Sequence, residues 1–411
     1  MVLVGWGGPV ESACVNSYFQ ELGRTVFDRW KQANFSLEVF PAIARAALDE
    51  RPPCEHVSLD ELVRDFLLND EQPHQTQSGF GEPELVTYEC PRFYIQVLFW
   101  LDGTTDIHQH EFSGAFHVMA GSSIHAGFAF ENMQPITPHF RVGDLRLQQI
   151  ELLETGRTVP ITSGSGGIHS LFHLDKPSVT VVVRTQNDPG TAPQFTYLPP
   201  HVALDPVYCD ALIMRRKQAL DVLEQTGDPD YARLIREMID QHDLEAGFYI
   251  LQNGMRHLMD LDEWEPALET FQNKHGASAA GMVASMVECQ RRDHIRDMRG
   301  AITDPDHRFF LALLMNAPSR SSLLELVAQR FPGDDPVDTV MAWIEELAEP
   351  YDSGTAAMDL LVPDDLDAFL AELRQMLAPG GVPRAARIPA KKIRETRTLI
   401  EGSCLRRLLD Y

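Results

Sequence analysis

Residues 93–130 read FYIQVLFWLDGTTDIHQHEFSGAFHVMAGSSIHAGFAF, and this stretch decides how the rest of the chain is read. An apolar β-rich run, FYIQVLFWL, leads through the turn DGTTD into His108 and His110. A second apolar run follows and ends at Ala120 and Gly121. Alternate side chains of a strand share a face, so His108 and His110 point the same way. A third histidine, His169, arrives in GGIHSLFHL. Two imidazoles on one strand face and a third from another strand suit a first-row metal, with further coordination positions left open. Eight of the 15 histidines lie between His108 and His201, under a quarter of the chain. The competing reading is a pair of polar residues on a solvated strand, and the apolar flanks argue against it.

Outward from this stretch the pattern stays β-rich. From Leu85 to about Tyr197 the runs ELVTYE, RFYIQVLFWL, AFHVMAG, HAGFAFE, LRLQQIELL, TVPIT, SVTVVVRT and QFTYL are broken by Gly, Pro and Asp. About eight short strands with no helices between them predict an antiparallel sandwich or barrel. Before them, Val15–Phe35 carries apolar residues at helical spacing, and Ser58 with Glu61 forms a capping-box signature. After the Pro-rich LPPHVALDP the spacing is helical to the end. The reading is therefore α+β: a helical segment over 1–79, a β-barrel over 80–205, an all-α region over 206–378 and a basic segment over 379–411. That last segment is either a loose arm or a helix packed onto the acidic body. The helical parts would serve to cover the open end of the barrel or to build a homodimer surface.

The bulk composition narrows the function classes. A chain of 411 residues, 44% hydrophobic, can bury a sizeable core. Its formal charge of −25 argues against general binding to nucleic acid or anionic lipid. SSLLELVAQRF followed by VDTVMAWIEEL has the look of a helix-turn-helix pair but lacks a basic recognition helix. The six cysteines have no CxxC spacing, which fits reduced thiols and a cytoplasmic setting. The N-terminus has no basic segment before an apolar run, so no signal peptide is expected. No run of about 18 apolar residues suggests a membrane span.

The motif resembles that of the cupins, and among them it is most similar to the cysteine dioxygenase-like thiol dioxygenases. Gly103, His108, His110 and Gly121 follow the first cupin motif, while its glutamate position falls on Gly114 or Ala115. Thiol dioxygenases lack that glutamate too. Trp100 and the run Ile107 to Ser113 match their hallmark, and Gly167–His169 with Pro177–Val183 is similar to their second motif. The resemblance covers about 110 residues. It implies a cupin jelly-roll barrel and a mononuclear Fe(II) site held by His108, His110 and His169, with Ni, Mn or Zn as other occupants. Three neutral imidazoles leave a divalent ion its full +2, which favours an anionic donor such as a thiolate. The family's Ser, His and Tyr of the last strand correspond to Thr180, Val182 and Arg184, so the His and Tyr are absent. Its substrate arginine has Arg92 as the nearest counterpart.

The expected activity is an oxygen-dependent oxidation of a small anionic metabolite, a thiol being one form of it. Arg92 or Arg184 would hold a second anionic group, and His173, an even number of residues from His169, would add a direct contact. Two alternatives stand beside it: a cupin isomerase or lyase using the metal as a Lewis acid without oxygen, and a non-catalytic metabolite sensor signalling through the helices. His117 has the wrong strand parity to face the site. His125 follows a turn that would let it reach back. Glu111 is expected to be a solvated charge. Glu237, His242 and Asp243 are expected on a surface helix.

Overall fold

The computed structural model describes residues 13–76, 80–348, 366–377 and 389–409. The strands are β1 (Glu84–Cys90), β2 (Phe93–Trp100), β3 (Ile107–His110), β4 (Gly114–Ala120), β5 (Ser122–Thr137), β6 (Phe140–Glu154), β7 (Thr158–Ile161), β8 (Gly164–His173), β9 (Ser178–Thr185), β10 (Thr196–Leu198) and β11 (Val202–Leu204). One sheet has the order β1-β2-β9-β4-β7. In the other, β3-β8-β5-β6 is extended by β11 and β10, and β10 pairs back onto β3 to close a barrel. Strands β2-β9-β4-β7 facing β3-β8-β5-β6 is the strand order of a jelly roll, all pairs antiparallel.

Residue parity sorts the side chains. On β2 the odd residues Phe93, Ile95, Val97 and Phe99 pack outward on Tyr18, Phe19, Leu22, Trp30 and other apolar residues of the N-terminal helices. The even residues Leu98 and Trp100 face inward, against Phe112, Phe116, Leu171 and Val182. Ser58 caps the helix Leu59–Leu68 by accepting from the Glu61 N–H, as its sequence signature predicts. The N-terminal helices thus cover the outer face of one sheet.

The other sheet is covered by the C-terminal helices. Phe140 and Val202 join one helical core with Phe248 and Met282, and Ile124, Phe172 and Leu174 join a second with Phe309, Phe310 and Trp343. The hairpin β5–β6 is longer than its sequence runs, because its distal half pairs onward to reach those helices. The basic C-terminal segment packs back: Leu405 and Leu408 are fully buried and Arg407 pairs with Glu288. Residues 379–388, 410 and 411 of that segment lie outside the described residues. No helix among the described residues is long and apolar enough to cross a membrane.

Helix Ala277–Ala301 makes the tightest join between helices and barrel. Arg299, 1% exposed, donates from Nε and Nη2 to the His173 carbonyl at 3.2 and 2.9 Å, and from Nη1 to the Asp102 carbonyl. One turn earlier, Arg296 pairs with Asp106. Both contacts fall on the loop between β2 and β3, directly before His108.

Two buried histidines tie the fold to pH. Burial holds His117 down to about 4, and burial with the Arg299 guanidinium holds His173 down to about 3. Both are neutral in the fold, whereas an unfolded histidine titrates near about 6.5. Stability is therefore complete above that pH and is lost as pH falls toward 4, where the unfolded chain takes up protons the fold refuses. Thermal melts of metal-free protein between pH 7 and 4.5 should show this decline, and His117→Gln should reduce it in part, because other buried histidines are held down as well. An unchanged slope in that variant would remove His117 as a cause.

Candidate metal centre

The second inward face of the jelly roll carries the histidines. His108 and His169 are direct cross-strand partners on β3 and β8, and His110 lies one pleat along β3. The ring centroids are 4.6 Å apart for His108 and His110, 5.0 Å for His108 and His169, and 4.9 Å for His110 and His169. One ring nitrogen from each lies within 4.8 Å of the other two, and all three residues are buried. His108 Nε2 and His110 Nδ1 are buried with no hydrogen-bond partner, and His110 Nε2 sits 2.8 Å from His169 Nε2. Crowded, unpaired ring nitrogens of this kind are costly unless something binds them. Burial holds all three imidazoles below their usual range, most strongly His110 and His169, so they stay neutral as ligands require.

The supporting contacts fix ring orientation. His108 Nδ1 donates to the Asp106 carbonyl at 2.8 Å. His169 Nδ1 lies 3.1 Å from His125 Nε2, and His125 Nδ1 lies 3.2 Å from Glu151 Oε1. His125 and Glu151 are cross-strand partners on β5 and β6. His125 therefore reaches the site through His169, as a carboxylate-backed orienting group.

Among the described residues, no carboxylate belongs to this cluster. Gly114, where the cupin glutamate would stand, has no room for a side chain: a Cβ there would lie 2.1 Å from the Val183 carbonyl oxygen. Ala115 packs outward in the core under the N-terminal helices. The residues present thus fit a three-histidine metal site with neutral donors.

The rings open onto a small cavity of about 30 Å³, room for about two water-sized occupants. Its walls are mainly Phe80, Leu98, Trp100, Phe112, Phe116, Ile161, Leu171 and Val182, with Gln96, Thr105 and Thr180 as the polar groups besides the histidines. Among the described residues no Arg, Lys, Asp or Glu lines it.

The other residues singled out in the sequence are not brought to this cavity. Arg92 is exposed on the β1–β2 turn, its guanidinium 4.0 Å from the Phe35 ring centroid, at the far end of β2 from Trp100. Arg184 faces inward but is screened: its guanidinium lies 3.4 Å from the centroid of Phe112 and 5.0 Å from that of Tyr94. His173 shares the face of His169 but stacks on the Trp100 ring at 4.6 Å, with Nδ1 on Ser123 Oγ at 2.8 Å. It is outside the cavity lining, with Trp100 as the wall. His117 points outward, its Nε2 3.4 Å from Cys54 Sγ. Glu111 accepts from Asn187 Nδ2 and the Gln194 N–H, both at 2.9 Å, and so pins a loop instead of standing free in solvent. Glu237 pairs with Arg233 and Asp243 caps a helix, away from the site.

No family model matches this chain, and no curated protein sequence matches it. Solved structures similar to part of this chain include a cupin domain protein and two enzymes. A cupin-2 domain protein from Shewanella frigidimarina is 16% identical over 30% of this chain and 92% of its own, with a TM-score of 0.19. A hydroquinone 1,2-dioxygenase from Sphingomonas sp., solved with 4-hydroxybenzoate bound, is 10% identical over 26% of this chain and 68% of its own, at a TM-score of 0.21. A DMSP lyase from Ruegeria pomeroyi is 16% identical over 44% of this chain and 98% of its own, at 0.24.

Proposed function

We propose that this chain is a metal-dependent cupin enzyme, an oxygen-dependent oxidoreductase of dioxygenase type. Its substrate is a small molecule that reaches the metal through an anionic atom, a thiolate first of all. The observation that carries this reading is the donor set: three buried neutral imidazoles, with Gly114 sterically unable to supply the carboxylate. Iron held by His108, His110 and His169 would supply redox chemistry and keep its full positive charge for an anionic donor. The chain's own residues do the rest. The Asp106 carbonyl fixes the His108 ring, and His125 with Glu151 fixes that of His169. Trp100, Phe112, Phe116 and Leu171 exclude bulk water around the reacting atoms. With no cationic side chain in the cavity wall, the substrate's negative charge belongs at its metal-binding atom. Arg184 and His173 then act as wall supports behind Phe112 and Trp100, and Arg92 plays no part.

Oxygen uptake tests this. Protein loaded anaerobically with Fe(II) should consume oxygen when mixed with a small thiol from a panel of 2-mercaptoethanol, cysteamine, cysteine and 3-mercaptopropionate, and His108→Ala should abolish the uptake. Turnover of a panel member without oxygen would replace this reading with a Lewis-acid isomerase or lyase. Binding without turnover of any kind would leave a sensor.

A further inference from the structure

Among the described residues of the cavity lining, Gln96 is the polar side chain, besides the histidines, with a buried atom left unpaired. It sits in the middle of β2, opposite Val86 on β1 and Val182 on β9. It is 2% exposed, and its Oε1 is buried with no hydrogen-bond partner. Its inward neighbours along the strand are Leu98 and Trp100, its cross-strand partner is Val182, and the cavity it lines also holds Phe116. Thr180 accepts from Trp100 Nε1 at 3.2 Å and is no partner of the Gln96 amide oxygen. An unpaired amide oxygen in an apolar wall is destabilising, and a leucine or methionine would fill the same space without that cost. Buried polar atoms left unpaired call for an external partner.

We infer that Gln96 is the specificity residue of the metal cavity, its amide oxygen accepting a hydrogen bond from a neutral donor on a compact, otherwise apolar substrate. This rests on the reading of the cavity as a metal-centred substrate site. It names the substrate class within that reading: a short chain with a metal-binding anionic atom at one end and a hydroxyl at the other. A carboxylate at that second end is disfavoured. It would enter a wall in which no described side chain is cationic, at a desolvation cost that a neutral hydroxyl avoids. The small cavity favours a short substrate over a bulky one.

The test uses Co(II)-loaded full-length protein under anaerobic conditions. Three thiols of similar length are titrated: 2-mercaptoethanol, 1-propanethiol and 3-mercaptopropionate. The thiolate-to-cobalt charge-transfer band reports binding. In the parent protein 2-mercaptoethanol should bind about tenfold tighter than its isostere 1-propanethiol, the size of one net hydrogen bond, and 3-mercaptopropionate should bind weakest. Gln96→Leu should equalise the first two without weakening 1-propanethiol, and should raise the melting temperature of the metal-free protein. Tightest binding of 3-mercaptopropionate overturns the inference alone, as does an unchanged preference in Gln96→Leu. Failure to hold cobalt, or no band with any of the three thiols, overturns the metal–thiolate reading itself and the inference with it.

Discussion

Replacing His108 or His169 with alanine is expected to lower metal affinity by at least about 100-fold while leaving the fold in place. The estimate follows from what a supporting contact is worth: losing an orienting partner of a ligand costs about 10–100-fold, and losing the ligand itself costs more. His125→Ala should therefore fall between parent and ligand variants, because it removes only the contact at 3.1 Å that orients His169. The fold should persist because the three rings crowd one another in the metal-free state, with His108 Nε2 and His110 Nδ1 unpaired. Metal analysis of purified variants, read with circular dichroism, checks both halves. Equal metal content in parent, His108→Ala and His169→Ala would place the metal elsewhere.

The largest effect on stability is expected at Arg299, far from any substrate. Its guanidinium is fully enclosed and bridges two segments of the barrel, through the His173 and Asp102 carbonyls. Arg299→Ala leaves the His173 carbonyl buried and unanswered, at about 1–3 kcal/mol, and removes the bond to the Asp102 carbonyl on the more exposed loop. It also opens a void against Phe172, whose ring the guanidinium overlies at 5.5 Å. A loss of about 3–5 kcal/mol in urea unfolding is expected. Arg299→Lys should recover only part of it, because a single ammonium cannot reproduce the planar fork that serves both acceptors. A change under about 1 kcal/mol in the alanine variant would mean that helix Ala277–Ala301 does not hold the barrel through this residue.

Much of this architecture was legible in the chain because strand parity is simple. The alternation in FYIQVLFWL, and the shared face of His108 and His110, follow from a period of two. So does the outward direction of His117. The pairing of His108 with His169 is different in kind. Four strands intervene between them, and only the jelly-roll order β3-β8-β5-β6 makes them neighbours. The His125–Glu151 support depends on the register of β5 against β6, which no local pattern reveals. Arg92 misled because nearness in sequence to a strand says nothing of which end of it faces the site. Arg184 has the inward parity that its position suggests, but an aromatic ring, Phe112, stands between it and the cavity.

The helix Leu244–Asp260 carries two residues whose reason lies outside the segment. Its sequence contains Gly247 and Gly254, which weaken a helical pattern. Both glycines are there for packing: a Cβ on Gly254 would lie 2.3 Å from Ile235 Cδ1, and one on Gly247 would lie 3.1 Å from the Phe271 ring. Tertiary contact with neighbouring helices overrides the propensity, and nothing within the segment announces it.

The central claim is a single metal held by three histidines with no carboxylate. It is tested most directly by growing crystals of the anaerobically iron-loaded protein and measuring anomalous scattering at the iron edge. The account predicts one peak per chain, within bonding distance of His108, His110 and His169 and of no Asp or Glu oxygen. A peak elsewhere, a carboxylate among the ligands, or no peak at the triad would contradict it.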